Sequence, residues 1–94
     1  MKLTKCGGIT PALKMVKQAR RQKQVTMVGC FLESSCGIAA ASVVAQQADY
    51  ADLDGAWLLD QDPFEGTRMV NGFLQVSLSA GLGVEPQDGL FPDE

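Results

Sequence analysis

Two short stretches carry side chains whose types and spacing could do chemistry. Tyr50-Ala51-Asp52-Leu53-Asp54-Gly55 sets two carboxylates either side of one leucine, at the end of a short apolar run. Residues two apart in an extended chain point to the same side. Asp52 and Asp54 are therefore expected to face one spot, with Gly55 ending the strand directly after. Like charges so close repel, which calls for something positive between them. A small organic cation suits the pair, because an ammonium between carboxylates makes charge-assisted hydrogen bonds about twice as strong as neutral ones. A hard metal ion, an internal Lys or Arg, and a plain solvated strand end are the other readings.

The second stretch is Lys2-Leu3-Thr4-Lys5. It is expected to be the tail of a strand, where positions three apart face opposite ways. Only one of Lys2 and Lys5 can then enter a shared site. A lysine desolvated among other cations can serve as a general base near neutral pH; a solvated surface lysine is the plainer alternative. Cys6-Gly7-Gly8 reads as a tight turn rather than an anion cradle. Cys30 reads as a small buried hydrophobe rather than a nucleophile.

Composition limits what these residues can join. The chain has 94 residues and no histidine. That removes Ser-His-Asp and Cys-His mechanisms and the commonest metal ligand, so proton transfer falls to Lys, Asp, Glu, Tyr or Cys. A chain this short buries roughly 60–65% of its unfolded surface, and its core is marginal. The net charge of −3 argues against nucleic acid as a partner, which calls for a basic excess. The one basic cluster, Arg20-Arg21-Gln22-Lys23, falls where a helix should end and suits the negative end of its dipole. The three cysteines, Cys6, Cys30 and Cys36, lack the C-x-x-C spacing of a zinc or redox pair. Reduced thiols in a cytoplasmic setting are expected. No secretory signal is visible, and no apolar run reaches the roughly 18–20 residues of a membrane span.

The elements that must position these side chains follow from pattern. Thr10-Pro11 looks like a helix N-cap with proline at the first helical position. A helix is expected over residues 11–23, with Ala12, Leu13, Val16 and Ala19 at helical spacing. Residues 25–29 form a short, mostly apolar strand of the kind covered on both faces. Ser34 or Ser35 caps a second helix running to about Gln47, whose small side chains suit close packing on a sheet. Tyr50–Asp54 is the third strand. The order strand, helix, strand, helix, strand is the βαβαβ signature of a parallel α/β sheet, whose sites sit at the carboxyl ends of the strands. Beyond it, Phe73–Leu78 alternates and is read as one more strand, residues 80–84 as a loop, and the acidic end from Glu85 as flexible.

Taken together, KLTKCGGIT, VTMVGCFLESSCGIAAA and YADLDGAWLLDQDPF resemble the C-terminal part of dipeptide epimerases of the L-Ala-D/L-Glu type, in the muconate-lactonizing branch of the enolase superfamily. The likeness runs from about Lys2 to Gly83. It implies a partial (β/α) TIM-type barrel over residues 1–62, with 2–5, 25–29 and 51–54 as strands six to eight. Residues 63–94 would be an irregular tail returning towards an absent capping domain. It implies that Lys2, rather than Lys5, is one of two acid/base catalysts. Asp52 and Asp54 would bind the substrate's α-ammonium group, and Cys30, Phe31 and Leu32 would line the dipeptide. The implied reaction is proton removal and return at the α-carbon beside a carboxylate, with Mg2+ stabilising the charge that develops.

The chain departs from that pattern in what it lacks. It has no counterpart of the family's second-strand K-x-K or of the three acidic metal ligands. Asp49, Asp60 and Asp62 do not sit where those ligands belong, and Met1 falls inside the sixth strand. A piece of a longer gene, inactive alone, is the expectation. The alternatives are a non-catalytic module that binds amino acids or dipeptides, and half of a split enzyme completed in trans. Open sheet edges also invite self-association.

Overall fold

The structure, a computed structural model, describes residues 1–89. At its centre two short strands lie side by side in parallel: β1 (Met27–Gly29) and β2 (Tyr50–Asp52). Met27 pairs with Tyr50, Val28 with Ala51 and Gly29 with Asp52. Helices α2 (Ile9–Arg21) and α3 (Ser35–Ala45) pack against them. Ala12 and Val16 of α2 are four apart, and Ile38, Ala41 and Val44 of α3 three apart, so each set forms one face. These residues meet Val28 and Leu53 to form the core. Burying side chains such as Ile38 or Val44 stabilises by about 1.5–3 kcal/mol each. The parallel α/β core expected from the pattern is present.

One expected strand is not. Residues 2–5 do not extend β-structure; Leu3–Cys6 is a short helix, α1. The reason lies just downstream. Gly7 adopts φ 97°, and the N–H groups of Gly7 and Gly8 both donate to the Leu3 carbonyl at 3.2 and 3.0 Å. This left-handed glycine cap closes a helical turn that four residues of mixed polarity could not announce by periodicity. Only Met1 runs beside β1. Gly29 N–H donates to its carbonyl at 2.8 Å, and its amino group donates to the Met27 carbonyl at 2.5 Å.

Helix α2 begins at Ile9 on Gly8, not at Thr10-Pro11. Pro11 is the third helical residue, where an absent N–H is tolerated because first-turn donors have no intrahelical partner. The helix stops at Arg21, two residues before the expected Lys23. Lys23 itself takes φ 56°, and Gln24 N–H returns to the Ala19 carbonyl at 2.9 Å. Strand β1 starts later than expected, since Val25 and Thr26 precede it. The expectation that it is covered on both faces fails. Met27 is 49% exposed and its partner Tyr50 64% exposed, so the side opposite the helices is open.

The segment after residue 54 is more ordered than its sequence suggests. A 3-10 turn covers Gly55–Leu58. Strand β3 (Phe64–Glu65) pairs with β6 (Glu85–Pro86), and β4 (Arg68–Val70) with β5 (Phe73–Gln75), both antiparallel. Phe73 does open a strand, as expected, but it ends at Gln75. Asn71 and Gly72 join β4 to β5 with φ 51° and 80°, the two positive values of a type I′ hairpin. Glu85 is not loose: it and Pro86 are paired. The rest of the acidic end, residues 90–94, lies outside the described residues.

Two aspartates tie the layers together. Asp62 accepts hydrogen bonds from Ser35 N–H at 2.9 and 3.1 Å and from Phe64 N–H at 3.0 Å. It therefore caps α3 from a distant part of the chain. Asp49 accepts from the Thr26 N–H at 2.8 Å and the Thr26 hydroxyl at 3.0 Å, while Tyr50 N–H donates to the Thr26 carbonyl at 3.0 Å. This two-way hook fixes where β2 starts beside β1. Hydrogen bonds from the Thr26 N–H and hydroxyl, with help from Arg20, hold the Asp49 carboxyl below its ordinary value against the opposing effect of burial.

Two outcomes are expected. A carboxyl whose folded pKa is depressed stabilises above its unfolded value, and loses that contribution as pH falls through the folded one. Thermal melts from neutral pH to about pH 2 should show the native chain losing more stability on acidification than Asp49→Asn, which starts lower. Asp62→Ala should cost about 1 kcal/mol in denaturant melts, the usual effect of losing an N-cap.

Candidate functional site

Parallel pairing puts the carboxyl ends of β1 and β2 on one rim, with Gly29 opposite Asp52. Lys2 reaches this rim from the residue beside β1. Its backbone is extended, with φ −133° and ψ 135°. Its stem crosses Gly29, where an added Cβ would sit 3.7 Å from Lys2 Cε. Its ammonium then lies over the Phe31 ring, 3.8 Å from the centroid. Such a contact contributes about 0.5–1 kcal/mol at an exposed site.

Lys5 corrects the sequence reading. Its Nζ lies 5.2 Å from the same ring centroid. Two lysines three apart on a strand would diverge, but Lys2 is the extended residue before α1 and its carbonyl accepts the Lys5 N–H at 3.0 Å, so the chain turns between them. Both ammonium groups therefore converge on Phe31.

The strand carrying the aspartate pair ends at Asp52, two residues short of the expected Asp54, whose φ of −92° and ψ of 0° are not extended. Leu53, only 7% exposed, anchors in the core, while Asp52 and Asp54 on either side are exposed. Asp54 directly precedes the turn that opens at Gly55, and its side chain makes no capping hydrogen bond there. Gly55 is required there: a Cβ would fall 2.1 Å from the Phe31 carbonyl oxygen and 3.1 Å from Cys30 Sγ. The loop after β1 and the turn after β2 thus touch through backbone. Any side chain at residue 55 would force them apart.

Cys30 sits where the two loops meet. Burial pushes its thiol pKa up most, a hydrogen bond with the Gly55 backbone pulls it down, and the carboxylates of Asp54, Glu33 and Asp52 push it up again. It therefore stays protonated and is a poor nucleophile, in line with the sequence reading. Phe31 and Leu32 extend outward, both exposed.

The structure thus brings Lys2, Cys30 and Phe31 together on the rim that carries Asp52 and Asp54, with Leu32 beside them in sequence and open to solvent. Two residues of this rim, Lys5 and Glu33, are not among the site residues that the resemblance implies. Lys5 was signalled by the Gly7-Gly8 pair, which reads as a helix cap as readily as a strand turn. Glu33 accepts a hydrogen bond from Phe31 N–H at 3.1 Å; nothing in its spacing marked it. All three cysteines are free thiols. Among the described residues, no helix is long and apolar enough to cross a membrane.

The arrangement around Cys30 is checked by alkylation kinetics. In a chain also carrying Cys6→Ser and Cys36→Ser, Cys30 should react slowly at about pH 8, below the pKa of a burdened thiol. Asp54→Asn should speed the reaction severalfold by removing a neighbouring negative charge. An unchanged rate would mean that Asp54 does not face the thiol.

Comparison with known proteins bears on the family and the fold. Residues 1–90 match the sequence model of the family described as enolase C-terminal domain-like. An L-Ala-D/L-amino acid epimerase from Maribacter sp. is 52% identical over 69 residues, covering 73% of this chain and 20% of that protein. An L-Ala-D/L-Glu epimerase from Bacteroides thetaiotaomicron is 44% identical over 84 residues, covering 89% of this chain and 22% of that protein. The solved dipeptide epimerase from Cytophaga hutchinsonii, complexed with Mg and the dipeptide D-Ala-L-Val, superposes with a TM-score of 0.86 at 35% identity. That match covers 95% of this chain and 26% of the enzyme. The chain therefore spans about a fifth to a quarter of the relatives it resembles. It is α/β, built like the barrel part of these relatives, and it belongs to the enolase C-terminal domain-like family.

Proposed function

We infer that this chain supplies the C-terminal part of a dipeptide epimerase acting on substrates of the L-Ala-D/L-Glu type. On this reading the strand position at Met1 with Lys2, the strand β1 and the strand β2 are barrel strands six, seven and eight. Residues 1–62 form the barrel part, and 63–94 return towards a capping domain. The observation that carries the reading is the rim: Lys2 crosses Gly29, and Gly29 pairs with Asp52.

Each residue then has a task. Asp52 and Asp54 grip the protonated amino group of the dipeptide, so that its negative partner groups point away from them. Lys2 removes or returns the proton at the α-carbon beside the terminal carboxylate. Cys30, Phe31 and Leu32 line the side of the site formed by the loop after β1, and the un-ionised Cys30 adds no charge to the existing cluster. Inverting a carbon centre takes an acid/base group on each face. Lys5 converges on the same ring as Lys2, so it does not supply the opposite face. The sequence has no K-x-K. The second base is therefore assigned to a portion of the enzyme preceding these residues, and this chain alone does not epimerise.

Magnesium accompanies the dipeptide in the Cytophaga hutchinsonii enzyme. Among the described residues of this chain, no three His, Cys, Asp or Glu side chains are grouped to hold a metal ion. Asp49 and Asp62 are engaged in structural hydrogen bonds instead. The acids of this rim do not fit a magnesium site.

Deuterium incorporation at the α-carbon of L-Ala-L-Glu tests the reading. The chain alone should give none. Co-expressed with an N-terminal portion carrying K-x-K and three acidic strand ends, it should exchange. Lys2→Met should then cut exchange about a hundredfold or more. A folded, complemented sample that exchanges nothing, or one indifferent to Lys2→Met, contradicts the assignment. Calorimetric binding of the dipeptide to the chain alone, without exchange in any sample, would instead favour a binding module.

A further inference from the structure

We propose that Glu33 is a positioning residue for Lys2, acting through Phe31. Three observations join into one chain of contacts. The Glu33 carboxylate accepts the Phe31 N–H at 3.1 Å through Oε2. Its other oxygen, Oε1, occupies the space that Gly37 leaves open: a Cβ there would come 3.0 Å from Oε1 and 3.3 Å from Glu33 Cβ. The Phe31 ring in turn carries the Lys2 ammonium at 3.8 Å.

The physics is that of an exposed loop given a fixed shape. Phe31 and Leu32 are exposed, so packing alone does not set the direction of the ring. The Glu33 bond fixes the Phe31 backbone from two residues away. The missing side chain at residue 37 lets that carboxylate lie over the first turn of α3. A second constraint comes from the other side, where the Phe31 carbonyl meets Gly55. The peptide units flanking Phe31 are thus held at both ends, and the ring is left facing the lysines. An ammonium on a stem of four methylenes loses much rotamer freedom when held in one place. A pre-set aromatic surface reduces how far it wanders.

This inference deepens the epimerase reading and rests on it for the importance of Lys2, but its test needs no substrate. In the full chain with isotope-labelled lysines, the Lys2 ε-methylene resonance should lie upfield through the Phe31 ring current, and Lys5 should show a smaller displacement. Phe31→Leu defines the ring-dependent part of the shift. Glu33→Ala and Gly37→Ala should each remove at least half of that part. Glu33→Gln, which keeps an acceptor oxygen at the same reach, should retain it. A merely stabilising role predicts instead that all three variants track thermal stability, with no rescue by glutamine. The proposal is overturned if Phe31→Leu leaves Lys2 unmoved. It is also overturned if Glu33→Ala keeps the whole ring-dependent shift in a chain whose circular dichroism is native. Failure of deuterium exchange in the complemented enzyme would remove the catalytic setting without touching this result, so the two failures are separable.

Discussion

The parallel register of two three-residue strands governs everything else in this chain. Gly29 opposite Asp52 is the pairing that sets a lysine stem and a carboxylate at the same level of one rim. Side chains alternate along a strand, so a slip of one residue would turn Asp52 to the helices and Leu53 outward. Two devices forbid it. The Thr26–Asp49 hook fixes the start of β2, and the burial of Leu53 fixes its end. One is a hydrogen-bond constraint and the other hydrophobic. Between them lies too little strand for the register to drift.

The rim is built where two backbones come unusually close. The Phe31 carbonyl occupies the space a side chain at residue 55 would fill, which is why the twin-aspartate motif ends in glycine. Burial and, to a lesser extent, the negative charges of Asp54, Glu33 and Asp52 hold the Cys30 thiol pKa up. The rim carries charges of both signs, the exposed carboxylates of Asp52 and Asp54 and two ammonium groups over Phe31. The sheet face below it is another matter. Met27 and Tyr50 stand exposed, and the chain matches only 26% of the Cytophaga hutchinsonii enzyme. A small helix-backed ribbon of this kind has one side packed and one side open.

Much of this was legible in the sequence, for physical reasons. The helical spacing of Ala12 and Val16, the small residues of α3 and the apolar run at 27–29 each report a buried face. The D-x-D spacing reports two carboxylates with an anchor between them. What was misread turned on backbone conformations that side-chain patterns do not show. Lys2–Lys5 is too short for periodicity to separate strand from helix, and the positive φ of Gly7 decided it. Lys5 was misplaced with it. The Asn71-Gly72 hairpin carried a clear signal that reading Gly72 as a breaker alone overlooked. Remote contacts such as Asp62 capping α3, and β3 pairing with β6 across twenty residues, leave no local trace at all.

The central claim is geometric, and solution NMR tests it most directly. Interstrand nuclear Overhauser contacts should report Val28 against Ala51 and Gly29 against Asp52, together with contacts from the Lys2 methylenes to the Gly29 α-protons. Finding both sets places the lysine and the aspartate pair on one rim, as described. Contacts that instead pair Gly29 with Leu53, or a Lys2 side chain without any contact to Gly29, would contradict the account.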